Sequence, residues 1–379
     1  MRVGHVIFAR PEMTGRDVVV SQLVCAQADA DRDAVILLAA GDPRYIDQMA
    51  GSSATPLRFP MGHTLTGWLR SAWRYSRLDP RQLGVTLLHG HGCRSIFLMA
   101  TLKIARRPGW SALPVVYSNY GFFNDTVLHR ISTWTELLTA RWADAITVSS
   151  AESLRYLLGK RHPVRVSVIP NGTSMPADPD RPGRRPPSRR LAAQYGVPTD
   201  APTVGIVGRI SREKRVDVFL EACAYISARR PDAHFFVIGT GPDEPTIRRL
   251  AESSGLSHIH VTGHYPDIGD VYGSLDVLVH AADFEGLPLV ILEAMSSGVA
   301  VVATAVGGIR ELIRHGDNGL LADRRDPHGL AEGVLALLAD PQLSRSIAQA
   351  GQRTIREEHT IETMRQAIAG LYATVPAKT

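Results

Sequence analysis

Glu285 and Glu293 stand eight residues apart around one apolar segment. From Gly286 to Met295 every position except Glu293 is apolar. A carboxylate among such side chains is costly to desolvate, so Glu293 requires hydrogen-bond donors, from neighbouring protein groups or from ligand hydroxyls. Pro288 suits the first position of a helix and Gly298 its C-terminal cap, which puts Glu285 in the loop at the helix start. A helix start offers unpaired N–H groups and the positive end of a dipole, a place for an anion. The segment "VGRISREKRVD" (207–217) adds Arg209 and Lys214 on a turn between an apolar run and a helix. A guanidinium fork and an ammonium point charge there can clamp a diphosphate. Taken singly, a structural carboxylate and two solvated loop cations explain the same residues.

Further segments carry weaker signals. "GTGPDE" (239–244) is a Gly-rich turn between a strand pattern and a helix pattern, short of a full dinucleotide fingerprint. "AVGGIRE" (305–311) repeats the arrangement, with Gly307 and Gly308 allowing close backbone approach. In "HGHGC" (89–93), His89, His91 and Cys93 alternate and would share one side of a strand. That spacing matches no standard zinc motif, and no metal site is assigned. In 64–81, Arg70, Arg74, Arg77 and Arg81 lie opposite Leu65, Trp68 and Leu69 on a helical projection. A basic amphipathic helix of this kind suits either a protein core edge or an anionic membrane surface.

The elements that must hold these residues alternate. Short Val/Ile/Leu-rich runs at 3–9, 33–40, 85–92, 113–120, 144–150 and 165–172 read as strands, with helices between them at 15–30, 64–78 and 130–142. The Pro- and Arg-rich stretch "PADPDRPGRRPPSRR" (176–190) has no periodic apolar face and reads as a linker. The alternation restarts with strands at 202–210, 233–241, 258–264, 275–282 and 299–308. Two doubly wound α/β domains follow, with ligands expected beyond the carboxyl ends of the strands, at a cleft. The expected division is 1–175, linker 176–200, 201–355 and a C-terminal helical segment 356–379.

The chain has 379 residues, 44% hydrophobic and 21% charged, with a formal net charge of +5. This excludes a largely disordered chain, and no apolar run is long enough to span a membrane. The three cysteines are widely spaced, the start lacks a signal-peptide pattern, and a cytoplasmic location is expected. Lysine is scarce against arginine, which fits a GC-rich bacterial origin. No zinc-finger spacing or aromatic RNA-binding motif supports nucleic acid as a partner.

The ordered set resembles the retaining glycosyltransferases of the GT-B fold, in the "glycosyl transferases group 1" family (family four). The matching residues are Gly208–Arg209 with Lys214, Gly239 with Gly241, Glu285 with Glu293, Gly307–Gly308 with Glu311, and Asn318–Gly319, over about 203–340. The resemblance implies two Rossmann-like domains facing across a cleft, with a C-terminal helix crossing back to the first. It implies that Arg209, Lys214 and Glu285 act in catalysis, with Arg209 and Lys214 on the diphosphate and Glu285 at the transferred sugar. It further implies that Glu293 receives ribose hydroxyls, and that Gly15, Gly208, Gly241, Gly286, Leu287, Pro288 and Leu289 line the donor. The N-terminal half matches more loosely. Thr14 replaces the first glycine of the family's P-x-x-G-G loop, Tyr120 stands where a histidine is expected, and Ala282 replaces a serine. His91, Asn119 and Tyr120 are expected on the acceptor or sugar side, with His91 lining the cleft.

The implied reaction moves a hexosyl unit from a nucleoside-diphosphate sugar, UDP-sugar first, to a hydroxyl of a glycan, glycolipid or small natural product. No obligatory cofactor or metal is expected. The rivals are a catalytically weak nucleotide-sugar-binding subunit and a nucleotide-sugar epimerase of the same fold.

Overall fold

The computed structural model describes residues 1–8, 14–30, 35–40, 46–47, 55–59, 70, 73–107, 109–121, 127–159, 164–175 and 189–376. Most of the helix expected at 64–78, and the Pro-rich stretch at 176–188, lie outside these residues. The chain divides into two units: Met1–Gly172 with Ile361–Thr379, and Thr173–Thr360.

The first unit contains β1 (Val3–Phe8), α1 (Gly15–Ala30), β2 (Val35–Ala40), β3 (Thr55–Phe59), β4 (Leu87–His91), α2 (Cys93–Ile104), β5 (Val115–Asn119), α3 (Val127–Ala140), β6 (Ala145–Val148), α4 (Ala151–Gly159) and β7 (Val166–Val168). All strand pairs are parallel, in the order β3-β2-β1-β4-β5-β6-β7. Strands buried on both faces explain the apolar runs at Val6–Phe8 and Val115–Tyr117, and the burial of His5 in β1. The edge strand β3, absent from the sequence reading, contains Pro56, which only an edge tolerates.

The second unit begins with α5 (Arg190–Gln194), inside the segment expected to be linker. Leu191 and Ala192 are buried there, and the Ala192 N–H donates to Ser274 Oγ at 3.4 Å. Then follow β8 (Thr203–Val207), α6 (Val216–Ser227), β9 (His234–Ile238), α7 (Glu244–Ser253), β10 (Ile259–Gly263), α8 (Ile268–Gly273), β11 (Val277–His280), α9 (Leu289–Ser296), β12 (Ala300–Thr304), α10 (Ile309–Leu312), β13 (Leu320–Ala322), α11 (Pro327–Ala339) and α12 (Pro341–Glu358). The parallel order is β10-β9-β8-β11-β12-β13. Its direction reverses between β8 and β11, so the loops after these strands splay apart and leave a crevice at their carboxyl ends. The chain returns to the first unit as α13 (Ile361–Thr374), where the Tyr372 hydroxyl meets His89 Nδ1 at 2.6 Å.

Candidate functional site

The crevice of the second unit gathers the residues singled out above. β8 runs through Val207 into Gly208 and the exposed Arg209, and a 3-10 turn at Arg212–Lys214 precedes α6. β11 ends at His280, and the next loop carries Asp283 and Glu285. Lys214 Nζ is paired with Glu285 Oε1, and His280 Nε2 lies 3.2 Å from the same oxygen. Burial pushes the Glu285 carboxyl up, but the Lys214 charge and the His280 hydrogen bond outweigh it and hold the pKa at about 2. Burial keeps the His280 imidazole below its usual range, against the pull of Glu285. The site therefore holds a carboxylate, an ammonium and a neutral imidazole in contact. A shallow depression beside them is lined by Gly208, Arg209, Ile210, Lys214 and His280.

Two local devices fix this loop pair. The Asp283 N–H donates to the Glu213 carbonyl at 2.8 Å, tying the β11 loop to the Lys214 turn. Its carboxylate accepts from Arg325 Nη2 at 2.7 Å and from Arg215 Nη1 at 3.4 Å, and both arginines are held in the left-handed region, at φ 61° and 52°. The second device is Gly307. Its φ is 52°, and a Cβ there would overlap the Glu285 carbonyl, while the neighbouring Gly308 N–H donates to the Gly286 carbonyl at 2.7 Å. The double glycine thus braces the backbone on either side of Glu285–Gly286. Gly239 and Gly241 serve the other loop in the same way, packed on the Gly208 and Ile210 carbonyls.

Beyond Gly286 the chain enters α9. Pro288 is the N-cap, with ψ 124°, and Leu289 is the first helical residue, one position later than the sequence implied. Gly298, at φ 74°, takes the left-handed position just past the helix end. The Leu287 and Leu289 side chains are buried, so what they offer a ligand is backbone. The Leu289 and Val290 amides precede any acceptor within the helix, while the Ile291 N–H already donates to the Pro288 carbonyl at 3.2 Å. Glu293 finds its protein donor in Tyr272, whose hydroxyl gives Oε2 a 2.8 Å hydrogen bond. Burial lifts the Glu293 pKa to about 7 in spite of that bond. The two glutamates, alike in sequence context, sit at opposite ends of the carboxyl titration range because only one has a cation.

In the first unit, Gly15 opens α1 and Thr14 precedes it. The Thr14 N–H and hydroxyl both donate to Asp17 Oδ2, at 2.9 and 2.7 Å, so Asp17, in the first turn, supplies the acceptor half of a capping box and the threonine that replaces the family's glycine is tied to it. His91 is 1% exposed and does not line open surface as expected. It lies 2.8 Å from His5 Nδ1 through Nε2, and 2.9 Å from the Tyr120 hydroxyl through Nδ1. Tyr120, at the end of this row of hydrogen bonds, is partly exposed. The Asn119 amide donates to the buried Glu136 carboxylate and accepts from the Gly121 N–H at 2.9 Å, so it shapes the strand end from within.

The alternation of His89, His91 and Cys93 fails at Cys93, which opens α2. His5, on the neighbouring strand β1, takes its place beside the two histidines. The ligand atoms of the three imidazoles lie within 4.8 Å of one another. Each ring nitrogen already has a partner, because His5 also meets Gln27 at 2.6 Å and His89 meets Tyr372 and Ser118 at 2.6 and 2.7 Å. The cluster fits a satisfied polar network better than an ion cage.

His280, Asp283 and Tyr272 are functional neighbours that the sequence reading missed. His280 had a visible signal, a titratable residue closing an otherwise apolar strand. Tyr272 had none, since its partner lies 21 residues away on another element.

Residues 188–354 match the family model for glycosyl transferases group 1, and residues 14–172 match that for the glycosyl transferase 4-like domain. Alpha-maltose-1-phosphate synthase of Mycolicibacterium smegmatis is 31% identical over 272 residues, covering 66% of this chain and 68% of that protein. D-inositol 3-phosphate glycosyltransferase of Corynebacterium urealyticum is 30% identical over 226 residues, 57% of this chain and 52% of that one. The matched stretch thus spans between about half and two thirds of these relatives. Anabaena Alr3699/HepE, solved in complex with UDP-glucose, superposes with a TM-score of 0.82 at 20% identity, over 99% of this chain and 100% of that chain. At that identity the likeness is one of fold, and the fold is GT-B. With both halves matched in order and the paired glutamates, cations and glycines brought to one crevice, this chain belongs to the glycosyl transferases group 1 family.

Proposed function

We propose that the protein is a retaining glycosyltransferase that moves a hexosyl unit from a nucleoside-diphosphate sugar, UDP-sugar first, to an acceptor hydroxyl. The observation that carries this reading is the Lys214–Glu285–His280 contact at the sheet's switch point, beside the start of α9. The leaving diphosphate gains charge as the glycosidic bond breaks. Arg209, Lys214 and the α9 amides are placed to stabilise that charge, which is electrostatic catalysis. Glu285 then addresses hydroxyls of the transferred sugar, and Glu293 those of the ribose. Tyr120 meets the acceptor or sugar side, with His91 behind it as a positioning residue. Among the described residues no helix is long and apolar enough to cross a membrane; the same reading puts the enzyme in the cytoplasm, with basic residues of 64–81 toward an anionic membrane.

The test is a panel of nucleotide sugars followed by thermal shift, since a ligand at 100 times its Kd stabilises by about 2.7 kcal/mol. Product NMR with the best donor then reads the anomeric configuration. An inverted product refutes retention, and a panel without any shift or turnover refutes the donor site. Because cations of the chain do the work assigned elsewhere to a metal, turnover in excess chelator is expected to stay within about twofold of the untreated enzyme.

Glu293 gives donor binding a pH dependence of known sign. The free protein keeps this carboxyl protonated below about pH 7, whereas two ribose hydroxyls donate best to the carboxylate. Donor Kd is therefore expected to rise about tenfold for each pH unit below the Glu293 pKa and to level off above it. Glu293→Gln should bind more weakly at pH 8 and show a flat profile in isothermal titration. A wild-type profile that is already flat removes Glu293 from the site.

A further inference from the structure

One face of the first unit is covered by a helical layer made of the turn at 73–77, α2 and α3. Tyr75, Ile96, Leu102, Trp110 and Ala140 pack into a single core cluster beneath it, with Leu88, Tyr117 and Ile146 of the sheet. The outer surface of this layer is apolar to an unusual degree. Trp73 is 54% exposed, Ile104 56%, Ile131 56%, Trp134 66%, Leu138 45% and Trp142 45%. On α3 the pattern is regular. Ile131, Trp134 and Leu138, then Trp142 in the following turn, recur at spacings of three and four, while Thr133, Glu136 and Ala140 are buried on the opposite side. Lys103 Nζ donates to the Trp142 carbonyl at 3.1 Å, which brings Ile104 to the end of the stripe. In the second unit the exposed large apolar residues, Tyr225, Leu250, Ile268 and Phe284, each stand on a different element and form no such stripe.

The charges on this layer say what can cover it. Arg74, Arg77, Arg94, Arg106, Arg107 and Arg141 are all exposed. The acidic residues are spoken for: Asp79 pairs with Arg81 at 2.9 Å, Asp144 pairs with Lys103 at 3.3 Å, and Glu136 is buried. Among the described residues, then, the face shows solvent indoles, aliphatic side chains and guanidinium groups. The Arg77 guanidinium sits 3.7 Å above the Trp73 ring, so cation and indole share one level. Indoles partition to the boundary between headgroups and acyl chains, and guanidinium groups pair with lipid phosphates in the same plane.

We propose that this layer docks the protein on an anionic lipid bilayer. Trp134, Leu138 and Trp142 enter to headgroup depth, and Arg106, Arg107 and Arg141 rest on lipid phosphates. Docking stands on this face alone, whatever the second unit binds. It shifts the expected membrane contact from the 64–81 helix to a layer in which 73–77 is one edge and α3 the centre.

Flotation of the full chain tests the proposal, with vesicles of phosphatidylglycerol mixed into phosphatidylcholine and with phosphatidylcholine alone. The protein is expected to rise with the anionic vesicles, with tryptophan emission shifted to the blue, and to stay down with the neutral ones. Trp134→Ser combined with Leu138→Ser changes only exposed side chains, so its thermal melt should match wild type, while vesicle binding falls by about tenfold or more. Arg107→Glu combined with Arg141→Glu should lower binding to anionic vesicles by about tenfold or more. Failure of the wild type to float, equal flotation with neutral vesicles, or wild-type flotation of either double variant overturns the proposal. So does a sedimentation mass that halves in the Trp134→Ser, Leu138→Ser variant, which would assign the stripe to a second copy of the chain.

Discussion

Replacing Lys214 by alanine is expected to lower kcat/KM by roughly 10²–10³-fold, about 3–4 kcal/mol of transition-state stabilisation, the range seen when one preorganised group facing developing charge is removed. Two effects add. The diphosphate loses a point charge, and Glu285 loses its cation. With Lys214 gone, the burial of Glu285 is opposed only by the His280 contact, and its pKa should climb from about 2 toward the ordinary carboxyl range or above it. A sugar-facing carboxyl that protonates near neutrality is a poor acceptor for hydroxyl donors. The loss should therefore deepen as pH falls, which distinguishes it from a simple defect in diphosphate binding. Lys214→Arg keeps the charge but substitutes a planar fork for a compact ammonium, and should recover only part of the rate. The measurement is steady-state kinetics with the best donor at several pH values. Unchanged turnover in Lys214→Ala would remove the cation from the mechanism.

The second large effect is expected at a residue with no functional group. In Gly307→Ala the new Cβ would occupy the position of the Glu285 carbonyl oxygen, and the backbone would be held at a φ of 52° that alanine disfavours. The chain must move, and what moves is the loop bearing Glu285. A loss of about 2–3 kcal/mol of stability is expected from overlap and strain together. Activity should drop by about 10²-fold, as for other displacements on the order of 1 Å. Gly316→Ala is the matched control. Gly316 also has a left-handed φ, 80°, but a Cβ there meets nothing within 4 Å. It should cost about 1 kcal/mol by strain alone and leave turnover intact. Equal activity losses in both variants would show that strain, not the Glu285 contact, governs the result.

The comparison of these residues explains why some of the site was legible in the sequence. Glu285 and Glu293 announced themselves because a carboxylate in an apolar run needs a reason, although the partners that supply it, Lys214 and Tyr272, lie on other elements. Composition placed strands at 202–210 and 275–282, a few residues past the observed ends at Val207 and His280, close enough to put the loops carrying Lys214 and Glu285 on one sheet edge. What escaped depended on neighbours far along the chain. Cys93 was grouped with His89 and His91 by spacing alone, but the turn after β4 carries it into α2, and His5 takes its place through strand pairing that no local pattern records. Pro56 concealed an edge strand. The segment at 190–194 looked like linker because its arginines and prolines dominate the composition just before it, while two buried side chains, Leu191 and Ala192, were enough to pack it. The apolar stripe of α3 was hidden for the opposite reason: Ile131, Trp134 and Leu138 follow ordinary helical spacing, and only the fold reveals that they face outward.

The placement of α13 has a consequence for biosynthesis. Tyr372 completes the hydrogen-bond network of His89 and Gln27, yet the ribosome delivers it after the entire second unit. While the chain is still emerging, the first unit must wait with unfinished buried imidazoles, whereas residues 173–360 have everything they need to close. Vectorial synthesis therefore favours maturation in reverse of chain order, and a premature stop near position 360 would injure the part of the protein that was made first.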